Sequence, residues 1–167
     1  CIYPNICTDQ PVAGLKLILK NAAAGKKAVF VSKDVGFAFP TPSGADDPRF
    51  VGATVDLFSA NEGTASFGIP SGTNWTLNTA GTVFKFVNKL APAGPSPVKV
   101  TVLKQGKVLK VVSKDTGVPL AGAQGSVGIR VQTGLIRNCA FFGPSTIIKD
   151  EANKFIAKNA LASAIAD

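Results

Sequence analysis

The stretch Lys16-Leu17-Ile18-Leu19-Lys20, followed by Lys27-Ala28-Val29-Phe30-Val31-Ser32-Lys33-Asp34-Val35-Gly36, recurs as Lys99-Val100-Thr101-Val102-Leu103-Lys104, followed by Val108-Leu109-Lys110-Val111-Val112-Ser113-Lys114-Asp115-Thr116-Gly117. The shared Ser-Lys-Asp-x-Gly lies at an offset of 113 − 32 = 81. Further matches keep the same order: Gly52 to Phe58 with Gly125 to Val131, Phe67-Gly68 with Phe142-Gly143, and Lys85-Phe86 with Lys154-Phe155. The offset falls to 75 and then 69 (142 − 67; 155 − 86), so the second copy has shorter loops. An internal repeat of this length constrains the fold more than any local propensity.

Within each copy, Val29 and Val31, Val55 and Leu57, Val100 and Val102, and Ile129 and Val131 recur at period two, the spacing of half-buried strands. Clusters of Gly, Pro, Asn and Ser separate these runs, and Lys104-Gln105-Gly106-Lys107 reads as a tight hairpin. We expect about six strands per copy in an all-β, antiparallel β-sandwich. It is jelly-roll-like, with two diverged tandem copies related by a pseudo-twofold axis. The division is an extended N-terminal arm over 1–12, a first β repeat over 13–92 and a second over 93–167, the two sharing one core. Residues 148–166 conflict locally, because Ile148, Ala152, Phe155, Ile156 and Leu161 fall at helical spacing. The repeat makes Lys154 to Lys158 the last strand, and it takes precedence.

At 167 residues the chain is long enough to bury a core without a metal or a dense disulfide framework. It contains no Met, which points to removal of a signal peptide or excision from a longer chain, and hence to an extracellular or cell-surface location. The cysteines are Cys1, Cys7 and Cys139. In an oxidising compartment we expect Cys7 to pair with Cys139, leaving Cys1 as a lipid-anchored or intermolecular thiol; the alternative is three thiols of a reducing compartment. The net charge of +8 rests on fifteen Lys and three Arg against ten carboxylates. Lys16, Lys20, Lys33, Lys99, Lys110 and Lys114 alternate with apolar residues and read as the solvated faces of strands. One Trp and one Tyr give no aromatic interleaving, so nucleic acid is a disfavoured partner. No apolar run reaches the length of a membrane span.

Ala45-Asp46-Asp47-Pro48, Gly52-Ala53-Thr54, Asn74-Trp75, Lys104 to Lys107, Gln124-Gly125-Ser126-Val127, Arg137-Asn138-Cys139 with Phe142-Gly143, and Lys158-Asn159-Ala160 together resemble a β-rich domain of secreted proteins of myxobacteria and related proteobacteria. The resemblance runs from Pro11 to the end of the chain. It implies export and β architecture, and it carries no active site across. Where that pattern often has further cysteines, this chain has Val98 and Ser113.

The absence of His removes Ser-His-Asp and Cys-His nucleophile activation and every His-based metal site. The carboxylates sit mostly beside turn residues, where solvated turn formers are expected, and Asp46-Asp47 lacks an ordered calcium-ligand spacing. We therefore expect no enzyme, no cofactor and no metal. The expected role is a structural or assembly protein, a cell-surface or filament subunit. It would self-associate or bind another surface protein through sheet edges or through the arm carrying Ile2, Tyr3 and Ile6. The alternative is a carbohydrate-binding or adhesive module centred on Trp75, with Asn74, Asn78 and Lys85 offering hydrogen bonds to a glycan.

Overall fold

The computed structural model describes residues 10–162. Six strands fall between residues 13 and 92: β2 (Gly14–Ala22), β3 (Gly25–Ser32), β4 (Ala53–Ser59), β5 (Gly63–Ile69), β6 (Trp75–Leu77) and β7 (Val83–Val87). Six more follow: β8 (Val98–Lys104), β9 (Val108–Ser113), β10 (Val127–Thr133), β11 (Ile136–Phe142), β12 (Ile147–Glu151) and β13 (Lys154–Ala160). The two-residue β1 (Gln10–Pro11) precedes them, and one short helix, α1 (Pro48–Val51), leads into β4. Residues 147–160 are a hairpin and not a helix, because β13 pairs along six positions with β2 and its helix-like spacing is overridden by that ladder.

The strands form two open sheets. One has the order β1-β11-β10-β4-β5; the other has the order β12-β13-β2-β3-β9-β8-β7-β6. All pairings are antiparallel except that of β1, which lies parallel to β11 with Pro11 beside Cys139. The arm thus ends as an edge strand on its own chain, and the Val12 N–H donates to the Cys139 carbonyl at 2.7 Å. Cys1, Ile2, Tyr3, Ile6 and Cys7 lie outside the described residues, so the expected Cys7–Cys139 bridge does too.

Alternation explains which face each sheet buries. On β2, Leu17 and Leu19 are fully buried while Lys16, Ile18 and Lys20 between them are half-buried. One apolar cluster takes Leu17, Phe30, Phe84 and Leu109 from the larger sheet and Val55, Leu57, Ile129 and Phe142 from the smaller. Phe142 meets Phe30 edge-on, at 6.3 Å between ring centroids and 87° between planes, which carries the packing from sheet to sheet. The hairpin joining β8 and β9 turns at Gly106, whose φ of 63° is in the left-handed region that glycine tolerates best.

Candidate interaction surfaces

Trp75 is 3 % exposed and belongs to the core cluster. Its indole N–H donates to the Pro70 carbonyl at 3.0 Å, and its ring packs 5.4 Å from that of Phe86, its cross-strand partner. The face a sugar would need is therefore already covered. Asn78 is likewise occupied, its side-chain oxygen accepting the Thr82 and Val83 N–H groups at 2.8 Å each to close the β6–β7 turn. Asn74 and Lys85 remain exposed. Asn74 lines a depression of about 350 Å³ with Thr73, Thr76, Asn88 and Leu90, which does not include Lys85. Lys85 instead stands opposite Thr76 on the outward face of the sheet. Asn88 is buried and committed to its own loop, donating to the Ala93 and Ser96 carbonyls. The four residues do not assemble into one binding site.

The carboxylates differ most from the expectation of solvated turn formers. Asp56 lies inside β4, not in a loop, opposite Arg130 on β10; Arg130 donates to its Oδ2 at 2.7 and 2.9 Å, and Ser66 to its Oδ1 at 2.8 Å. Glu62, in the β4–β5 turn, accepts the Leu120 N–H at 2.6 Å and the Gly122 N–H at 3.0 Å across 58 and 60 residues of sequence. Burial disfavours its charged form, but the N–H groups of that loop outweigh this and hold the Glu62 carboxyl below its ordinary range. Asp150 clamps the same loop from the other side through the Gln124 and Gly125 N–H groups, at 2.6 and 2.8 Å. Asp46 accepts the Leu135 N–H at 2.7 Å, and Asp47, fully buried, caps α1.

These contacts make the acids structural. Leu120 shows why: it is fully buried with φ of 54°, a conformation that costs a bulky residue energy unless its surroundings fix it. Glu62 holds its N–H, and the Asn153 N–H donates to its carbonyl at 2.7 Å. Glu62→Ala should destabilise the fold by about 2 kcal/mol, since two charge-assisted hydrogen bonds to backbone are lost. Urea unfolding would measure the loss, and faster amide exchange confined to residues 119–125 would locate it.

Among the described residues no group of three or more Asp, Glu or Cys side chains is placed to hold a metal ion, and no helix is long and apolar enough to cross a membrane. The open edges are the remaining candidates. β5 terminates the smaller sheet with seven residues, Gly-Thr-Ala-Ser-Phe-Gly-Ile, that include neither a charge nor a proline. At the opposite end of that sheet β1 covers Asn138 and Cys139 in the middle of β11, while the edges of the larger sheet are the three-residue β6 and the charged β12, where Lys149 pairs with Glu151 at 2.9 Å. No family model, curated protein or solved structure matches this chain.

Proposed function

We propose that this is a non-catalytic, exported structural protein, a cell-surface or filament subunit that associates with further copies by adding a strand to the edge of β5. The observation that carries the reading is that edge: sheet proteins commonly blunt such strands with lysine, proline, bulges or shortness, and β5 has none of these. The structural roles of Asp46, Asp47, Asp56, Glu62 and Asp150 support a role other than catalysis, because each already accepts hydrogen bonds from the fold.

We read the fold as a sandwich of two tandem copies, and the strand orders support this. Replacing each second-copy strand by its first-copy counterpart (β8 by β2, β9 by β3, and so on to β13 by β7) makes β12-β13-β2-β3-β9-β8-β7-β6 read identically from both ends. The run β11-β10-β4-β5 does the same. The local twofold would pass between Phe30 and Val111, a directly opposed pair 111 − 30 = 81 residues apart, the offset of the Ser-Lys-Asp motif. On this reading β1 lies beside β11 at the place where β5 has no strand beside it; the Ser96 hydroxyl donates to the Gly68 carbonyl at 2.6 Å, and an arm or edge from a second copy would pair with β5 on the Gly63 side of that contact.

Thr64→Lys combined with Gly68→Lys tests this. Both positions are exposed, and a Cβ at Gly68 meets no heavy atom within 4 Å, so the variant should fold. Wild type at high concentration should show association by analytical ultracentrifugation and electron microscopy, and the variant should stay monomeric. A wild type that is monomeric at millimolar concentration overturns the reading.

A further inference from the structure

From the outward face of the larger sheet we infer that the protein binds a linear acidic polysaccharide, laid across the strands on parallel rows of lysine. This goes beyond the edge-to-edge association proposed above and uses a different surface.

The pairing registers place the rows. Lys158, Lys16, Val31, Lys110, Val102 and Lys85 stand side by side on β13, β2, β3, β9, β8 and β7. Five strand spacings of about 4.8 Å make this row roughly 24 Å long. A second row runs through Glu151, Lys154, Lys20 and Lys27, four residues farther along the strands, with the acid at its outer end. Between the two lies an apolar row, Ile156, Ile18, Val29, Val112, Val100 and Val87, all only partly exposed. Val31 is 7 % exposed although it faces outward, flanked by Lys16 and Lys110, whose aliphatic stems are long enough to lie over it.

Two observations make this more than an ordinary solvated face. Lys158 opposes Lys16, and Lys154, Lys20 and Lys27 oppose one another in succession, like-charge neighbours that destabilise a sheet unless something neutralises them. The chain supplies almost no neutralisation. Among the described residues, Glu151 at the outer edge is the one acid on that face; it pairs with Lys149 and stands opposite Lys154, which leaves Lys20, Lys27, Lys16 and Lys158 without an acid beside them, and Asp34, Asp46, Asp47, Asp56, Glu62, Asp115 and Asp150 are all hydrogen-bonded within the fold. A chain of carboxylates or sulfates supplies the missing counter-charge.

The chemistry of the face selects the class of polyanion. It presents no exposed aromatic ring on which bases could stack. Its cations are ammonium groups; Arg49 and Arg130 are engaged by Asp47 and Asp56, and Arg137 lies on β11 of the smaller sheet, so the forked donors that suit phosphate are not offered here. The apolar row is recessed between lysines and forms no protruding wedge of the kind that enters a bilayer. Four lysines, Lys158, Lys16, Lys110 and Lys85, spread over roughly 24 Å of one row fit an extended sugar chain with one anionic group per residue.

The probe is polygalacturonate, titrated at low and moderate salt by calorimetry against wild type, Lys16→Gln/Lys158→Gln, and Lys89→Gln/Lys107→Gln, whose lysines sit in exposed loops off the rows. The row variant should bind about tenfold more weakly and with a shallower salt dependence, the loop variant within about twofold of wild type. The row variant should also be at least as stable as wild type, since it removes a like-charge pair, which separates lost binding from lost folding. Equal weakening in both variants, no binding to polygalacturonate at low salt, or tighter binding to duplex DNA or to phosphatidylglycerol vesicles would overturn the inference. Edge association is scored separately by the Thr64/Gly68 variant, so either idea can fail alone.

Discussion

Phe142→Ala is expected to remove about 3–5 kcal/mol of stability, a large part of the 5–15 kcal/mol typical of a domain, with the urea slope unchanged. Phe142 is fully buried and couples the two sheets: its ring edge meets Phe30 of the larger sheet, and its far end lies over the bare backbone of Gly14 on β2. A Cβ at Gly14 would fall within the van der Waals envelope of the ring's Cζ, Cε1 and Cε2 atoms. Gly14→Ala alone should therefore destabilise by about 1–3 kcal/mol through overpacking. With Phe142 truncated the space is open, so the same methyl should cost little and fill part of the cavity. The double-mutant cycle should show coupling of about 1 kcal/mol or more in favour of the pair. Additivity within about 0.4 kcal/mol would show that the ring does not rest on Gly14.

How far the sequence reveals this molecule depends on how local each feature is. The strands are legible because one face of each is solvated, so Leu17 and Leu19 alternate with Lys16, Ile18 and Lys20 and the period of two survives. Residues 148–160 were ambiguous because Ile148, Ala152 and Phe155 fit either period; the ladder with β2, more than a hundred residues away, decides for strands. Trp75, between the polar Asn74 and Thr76, fits a core ring better than a sugar platform but allows both; a strand turns alternate side chains to opposite faces, and Trp75 takes the inner one opposite Phe86. The carboxylates were recognisable as turn residues, but their partners were not, since Glu62 reaches Leu120 and Asp46 reaches Leu135 across loops with no shared pattern. The lysine rows fall between these cases. Alternation marks each lysine as outward-facing, but only the strand order brings Lys16 beside Lys158.

Asp47→Ala should cost about 3 kcal/mol at neutral pH and should remove part of the protein's sensitivity to acid. Asp47 is the N-cap of α1, and its carboxylate accepts the Ser43 N–H at 2.7 Å, the Arg49 N–H at 2.9 Å and the Arg49 guanidinium at 2.6 Å. Burial opposes its ionisation; the Arg49 side chain and these backbone N–H groups outweigh burial, so its carboxyl is held below the ordinary value of 3.8. A carboxyl depressed by folding binds its proton more readily in the unfolded chain. Its contribution is therefore complete above about pH 4 and is lost as pH falls through the folded-state value. Glu62 acts in the same direction from an ordinary value of 4.5. Wild type should hold a level stability from neutrality to about pH 5 and then decline, with the steep part below pH 4. Asp47→Asn keeps a capping oxygen but loses the charge, so it should start lower and decline less, and combining it with Glu62→Gln should flatten the profile further. Urea midpoints at pH 7, 5, 4 and 3 would measure both effects. Parallel decline of wild type and the double variant would place the acid sensitivity in other groups. The Arg49 side chain is 28 % exposed and can turn to water when its partner is gone, so the loss falls chiefly on the part-buried hydrogen bonds from the Ser43 and Arg49 N–H groups and on the entry into β4.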